Sequence, residues 1–243
     1  MQKIRPNTTL HCADCLSVLP TLASGSVNLI VTDPPYEILN MVTYFREFVR
    51  VLHPSGSLYI FGDKDIVAEN WFRQMSIRHK TLLVWHYLNS PKPRGRWRGA
   101  MQAIIYGYKS DESIFNEDAA RVPYTPAAQK LNGRMRPSNG RMNKAMVYNT
   151  SKGALPRDVI LHPALLGHLS RERVGHDDQK PLELIRKLVL TSSNVGDTVL
   201  DPFAGSGTTL VAARATGRNG VGVECDEKWV QIISKRVQSV STG

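Results

Sequence analysis

A chain of 243 residues with a formal net charge of +10 is long enough for one α/β domain carrying a modest insertion. No apolar stretch reaches the ~20 residues that span a bilayer, and Met1-Gln2-Lys3-Ile4-Arg5-Pro6 lacks the apolar core of a signal peptide, so a cytoplasmic protein is expected. The charge favours a polyanionic partner, whereas three cysteines and seven histidines without ligand-like pairing suit a reducing compartment and argue against a structural metal, Cys12-x-x-Cys15 having no second pair.

Thr8-Thr9-Leu10-His11-Cys12 reads as a short strand ending at Asp14, followed by a short helix over residues 15–22. The next strand, Val27-Asn28-Leu29-Ile30-Val31-Thr32, runs into Asp33-Pro34-Pro35-Tyr36. Residues 38–52 have helical periodicity, with Leu39, Val42, Phe45, Val49 and Leu52 along one face. Pro54-Ser55-Gly56 breaks that helix, and Leu58-Tyr59-Ile60-Phe61 reads as a buried strand. A helix over residues 64–77 precedes two strands, 81–87 and 101–108, joined by the basic loop Lys92-Pro93-Arg94-Gly95-Arg96-Trp97-Arg98.

From residue 110 to 175 the periodicity fades and Pro, Gly, Asn and Arg dominate. Helix returns over residues 181–190, with Asp177 or Asp178 as its cap and Pro181 in the first turn. The strand Thr198-Val199-Leu200 leads through Asp201-Pro202-Phe203-Ala204-Gly205-Ser206-Gly207-Thr208-Thr209 into a helix starting at Leu210. A last strand, Asn219-Gly220-Val221-Gly222-Val223, ends on Glu224, and an amphipathic helix covers residues 227–237. This alternation implies an α/β fold with a doubly wound, mostly parallel sheet. Joining the two ends sets the strand before Asp201 beside the strand before Asp33, so both motifs share one crevice at the carboxyl ends of the strands.

The chemistry of the two motifs is complementary. At the first, Asp33 can accept one N–H of an exocyclic amino group and the Pro34 carbonyl the other. Pro34 and Pro35 hold that carbonyl still, and Tyr36 offers a face for a base taken out of its stack. At the second, strand, glycine turn and helix let a ligand approach the backbone closely at a helix N-terminus. Glu224, about twenty residues after the first glycine, is placed for ribose hydroxyls. A nicotinamide dinucleotide site is disfavoured, because its third glycine position is Leu210 here.

Together the motifs resemble those of the amino-methylating DNA methyltransferases that use S-adenosylmethionine, over most of the chain outside residues 110–175. The catalytic motif comes first and the cofactor loop last, an order similar to the permuted β group of that family. The resemblance implies a Rossmann-like methyltransferase fold, with residues 1–109 as its catalytic half, 110–175 as a target-recognition insertion and 176–243 as its cofactor-binding half. It implies catalysis by Asp33, Pro34, Pro35 and Tyr36, and cofactor binding by Asp201, Phe203, Ala204, Gly205, Ser206, Gly207, Thr208 and Glu224. It also sets Asp14 against the cofactor adenine, where a capping Asp is the alternative, and Lys180 on the cofactor carboxylate, where a solvated helix-start lysine is the alternative. Asp177-Asp178 stands where many members have Pro-Thr. The long loop that follows the catalytic motif in many members is missing here, so closure over the base is expected from residues 92–98 or 110–175. Relatives often dimerise, so a homodimer is allowed.

Residues 119–157 contain no Asp or Glu but carry Arg121, Lys130, Arg134, Arg136, Arg141, Lys144, Lys152 and Arg157, the footprint of a DNA-facing region. Asn132-Gly133-Arg134-Met135 recurs as Asn139-Gly140-Arg141-Met142, either by chance or as two Asn-Gly turns each presenting an arginine. Candidate DNA contacts are Arg94, Arg96, Arg98, Arg134, Arg136, Arg141 and Lys144. The expected activity is methyl transfer from S-adenosylmethionine to adenine N6 in double-stranded DNA, since members acting on cytosine N4 more often carry Ser at the Asp33 position. Cytosine N4, an RNA substrate, and a non-catalytic DNA-binding regulator are the alternatives.

Overall fold

A computed structural model describes residues 7–87, 95, 99–136, 146–147, 149–165, 170 and 172–240. Strand β1 (Thr8–Cys12) leads to helix α1 (Cys15–Val18), which tightens into a 3₁₀ turn over Leu19–Thr21 rather than continuing as α-helix. Strand β2 (Val27–Thr32) is followed by α2 (Val42–Val51), β3 (Leu52–Gly62), α3 (Lys64–Ile66), a π-helical stretch over Val67–Trp71, α4 (Phe72–Gln74), β4 (His79–His86) and β5 (Met101–Tyr108). The middle of the chain contributes α5 (Glu117–Ala120), α6 (Pro126–Gln129), β6 (Met135–Arg136), β7 (Met146–Val147) and β8 (Val159–Leu161). Then come α7 (Leu182–Ser192), β9 (Thr198–Asp201), α8 (Thr208–Ala215), β10 (Asn219–Glu224) and α9 (Glu227–Gln238).

Eight strands form one sheet in the order β1-β10-β9-β2-β3-β5-β4-β8, and β5 runs against its neighbours while the other pairings are parallel. The apolar, β-branched run of β2 suits a central strand buried on both faces. One face packs Phe45, Phe48 and Trp71 from the helices after β2 and β3, and the other packs Leu184, Ile185, Leu188, Ala212 and Ala213 from α7 and α8. The expected α/β architecture is therefore present, with β2 and β9 side by side through Leu29↔Val199 and Ile30↔Leu200. Among the described residues no helix is long and apolar enough to cross a membrane.

Several sequence expectations are corrected. Helix α2 begins four residues later than its periodicity suggests, and its buried stripe is Phe45, Phe48 and Val51, with Leu39 59% exposed. The carbonyls of Ile38 and Leu39 are instead taken by Trp71 Nε1 at 2.9 Å and Gln74 Nε2 at 2.8 Å, which holds residues 38–41 outside the helix. Pro54-Ser55-Gly56 is not what ends α2, which stops at Val51; it lies inside β3, where pairing with β2 shifts between Val27 and Leu29. Gly56 makes the shift feasible, because a Cβ there would lie 2.9 Å from the Asn28 carbonyl oxygen. Neither Asp177 nor Asp178 caps α7. Glu172 Oε1 reaches the Leu182 amide at 2.6 Å from ten residues upstream, and Pro181 is the N-cap residue. The middle segment is also tied to the body of the fold: β8 is the outermost strand beside β4, and the Asn116 amide bonds the Thr191 carbonyl at 2.6 Å.

Candidate active site

Parallel pairing of β2 and β9 puts Asp33 and Asp201 at neighbouring strand ends. Between them opens a cavity of ≈ 410 Å³ lined by all four residues of the first motif and by Asp201, Pro202, Phe203, Ala204, Gly205, Ser206 and Thr208 of the second. Asp14, Lys180 and Glu224 line it as well. Phe61 and Trp229, which were not singled out by the sequence, also line it, as does His176 from the segment before α7. His176 and Trp229 meet edge to face at 4.6 Å between ring centroids. Trp229 lies one turn into a helix whose amphipathic pattern already accounts for its spacing, so its position carried no separate signal.

The glycine loop is shaped by backbone geometry. Gly205 and Gly207 have φ of 50° and 78°, a left-handed region that other residues enter at a cost. Glu224 holds the loop: its Oε2 accepts from the Gly205 amide at 2.8 Å and its Oε1 from the Asp226 amide at 2.9 Å. Arg236 on α9 donates to the Ser206 carbonyl. Glu224 thus combines a structural role with its place on the cavity wall. Asp14 likewise has a capping role, accepting from the Leu16 amide at 2.8 Å while lining the cavity. The cradle fits a nucleoside-bearing cofactor: close backbone approach at Gly205, a carboxylate beside it and an aromatic wall, while Gly207 lies outside the lining and packs against Ile233.

Asp201 is buried, with its Oδ1 accepting from the Phe203 amide at 3.2 Å, and burial pushes its carboxyl up to about 7. Burial also pushes the Asp33 carboxyl above its ordinary value, opposed chiefly by the Lys180 ammonium. That ammonium bonds Asp33 Oδ2, and the two side chains are only 11% and 17% exposed. Lys180 is therefore placed on the catalytic-motif carboxylate, with a further bond to the Asp178 carbonyl at 3.1 Å. Tyr36 packs near Trp71, with its hydroxyl 3.3 Å from Asp33 Oδ1, and burial together with Asp33 pushes that hydroxyl up, so it stays a neutral donor.

Removing the ammonium has a defined sign. Without Lys180, the buried Asp33 carboxyl rises further, so a higher pH is needed to ionise it. Lys180→Met is expected to lose turnover near neutral pH and regain part of it as pH is raised, measured as kcat against pH at saturating cofactor. An acid limb at the wild-type position would refute the coupling.

Of the candidate DNA contacts, Arg134 is exposed beside Gly133, whose φ of 77° marks the first Asn-Gly turn. Arg136 lies in β6 with its side chain outside the described residues. Arg94, Arg96, Arg98, Arg141 and Lys144 lie outside the described residues, as does the second turn.

A doubly wound sheet with a glycine cradle and an Asp-Pro-Pro-Tyr corner at adjoining strand ends defines a class of enzyme that transfers a group from a nucleoside-bearing cofactor. The N6/N4 methyltransferase family model, a DNA methylase family, matches residues 27–235, and the chain belongs to that family. It is a DNA methyltransferase. The DNA adenine methyltransferase YhdJ of Escherichia coli is 30% identical, with the alignment covering 96% of this chain and 83% of that protein. The Type II methyltransferase M.HpaI of Haemophilus parainfluenzae is 28% identical over 96% of this chain and 75% of its own length. Among solved structures, TTHA0409 of Thermus thermophilus in complex with S-adenosyl-L-methionine superposes with a TM-score of 0.63 at 25% identity, covering 96% of this chain and 94% of that one.

Proposed function

We propose that this protein transfers a methyl group from S-adenosylmethionine to the N6 amino group of an adenine flipped out of duplex DNA, with its motifs in the permuted β-group order. The observation that carries the reading is the cavity shared by the Asp-Pro-Pro-Tyr corner and the glycine cradle. YhdJ, an adenine methyltransferase among its relatives, supports adenine over cytosine, as does a carboxylate at position 33.

The cofactor, when bound, supplies an electrophilic methyl on a sulfonium. Gly205, Phe203 and Glu224 would hold it, with Ala204, Ser206, Thr208, Asp201 and Asp14 around it, and Gly207 would act by shaping the turn. The target amino nitrogen is a poor nucleophile because its lone pair is delocalised into the ring. Donating one N–H to Asp33 and the other to the Pro34 carbonyl favours the pyramidal nitrogen of the transition state. A carboxylate cannot deprotonate a neutral aryl amine, whose acidity lies far beyond even an elevated Asp. Asp33 therefore orients and stabilises first, and once the nitrogen is cationic its proton passes to the Asp33 carboxylate and on to water. Holding the methyl and amino groups at about 3–3.5 Å provides much of the remaining acceleration.

Mass spectrometry of nucleosides from treated duplex DNA tests the reading: N6-methyladenine is expected, and N4-methylcytosine without it would reverse the choice of base. Competition by duplex RNA should leave methylation of DNA unaffected.

Residues 110–175 are proposed as the target-recognition part between the two halves of the domain, with Arg134 on a phosphate. Arg134→Ala should then weaken every duplex sequence alike and lower the salt dependence of binding by about one ion. A loss confined to one base pair of the recognition site would instead assign Arg134 to a guanine edge.

A further inference from the structure

Behind the cavity, outside its lining, lies a polar side chain in the core. Gln102 is only 6% exposed, on the reversed strand β5 beside β3. Burying an amide is costly unless its hydrogen-bonding groups are paired. Here Nε2 donates to Asp33 Oδ1 at 3.3 Å and also to the Tyr36 hydroxyl, which itself bonds Asp33 Oδ1 at 3.3 Å. Asp33 Oδ1 is an acceptor, so the nitrogen of Gln102 faces it, which fixes the orientation of the amide. Three side chains thus close a triangle on one carboxylate oxygen, while Lys180 holds the other.

We propose that Gln102 is a positioning residue for methyl transfer. It locks Asp33 Oδ1 and the Tyr36 hydroxyl into one rigid unit, and so leaves Oδ2 as the oxygen that receives the target amino group. On this arrangement the Lys180 ammonium takes one lone pair of Oδ2, and the other is left for the substrate N–H. The inference rests on the reading of Asp33 as the group that orients the target amine. The neutral amide is required at position 102. A carboxylate there would face Asp33 Oδ1, and the two would share a proton across a short gap. Among the described residues, the charged and titratable groups around Asp33 are Lys180 and Asp178 before α7, Asp201 at the end of β9, Tyr36 in its own motif and Tyr87 after β4.

The test uses the full chain with duplex DNA and S-adenosylmethionine. Gln102→Leu keeps the volume and removes the donor. It should lower kcat by about 10- to 100-fold, the loss of a hydrogen bond to a charged group, with calorimetric cofactor affinity unchanged. Gln102→Glu should move the acid limb of kcat to higher pH and recover activity under alkaline conditions, a response that a space-filling role would not give. Gln102→Leu within twofold of wild-type kcat, or Gln102→Glu with an unmoved acid limb, would overturn the proposal. Asp33→Asn in the same series separates the two readings. If it is inert while Gln102→Leu is fully active, only the role of Gln102 fails; if it turns over normally, the role of Asp33 fails too.

Discussion

Asp33→Ala should abolish methyl transfer while the protein still binds its cofactor. The carboxylate is held between Lys180 on one oxygen and the Gln102–Tyr36 pair on the other, and its aim at the target nitrogen is the product of that framework. Removing a preorganised group that stabilises charge developing in a transition state commonly costs about 10²–10³ in turnover, and here the group also selects the geometry of the nucleophile. The glycine loop and Glu224 are built on β9 and β10, so cofactor affinity should survive. Alanine leaves the Lys180 ammonium buried without its carboxylate, which lowers stability. Asp33→Asn keeps the shape and offers the ammonium an amide oxygen. Steady-state kinetics paired with calorimetric cofactor titration check both variants. Near-normal turnover in Asp33→Asn would remove Asp33 from the chemistry.

Gly205→Val should have the opposite signature, with cofactor binding lost and the fold retained. Its φ of 50° already penalises a side chain, and a Cβ would lie 3.0 Å from His176 Nε2 on the cavity wall. The branched methyls of valine would occupy the space into which a ligand must come. Gly207 provides the contrast. Its Cβ would meet Ile233 side-chain carbons at 2.8 Å, inside the packing between α8 and α9. Gly207→Val should therefore lower the melting temperature, since overpacking and a left-handed φ together cost about 2–5 kcal/mol. Calorimetry and thermal melts on the two variants distinguish a blocked pocket from a strained core. Native cofactor affinity in Gly205→Val would show that the loop does not contact the ligand.

The two motifs and the strands that carry them were legible because each is local. A β-branched run ends in a proline corner at β2, and a strand meets a glycine turn at β9. The adjacency of β2 and β9 followed from winding rules. What escaped the sequence depends on bonds between distant residues. Trp71 and Gln74 hold residues 38–41 out of a helix that their spacing would allow, and Glu172 caps α7 in place of the nearer acids. Gln102 gave no signal, because a glutamine in the second position of a strand reads as a solvent-facing residue at its end. Here the neighbouring Met101 is exposed and the amide is buried. Lys180 was recognised as a site residue, but its partner lies 147 residues away.

The position of β2 between β3 and β9 shapes how the chain is made. Its first partner, β3, follows within a short stretch, but the Thr198 amide that bonds Asn28 lies 170 residues downstream. At synthesis rates of about 5–20 residues per second, that edge of the strand waits on the order of 10–30 s for its neighbour. During that interval an apolar strand, the one leading into Asp33, presents an open row of backbone donors and acceptors to any other emerging chain. The proximity that assembles the reactive corner thus places a vulnerable edge in the newborn polypeptide, and its closure depends on a strand made 170 residues later.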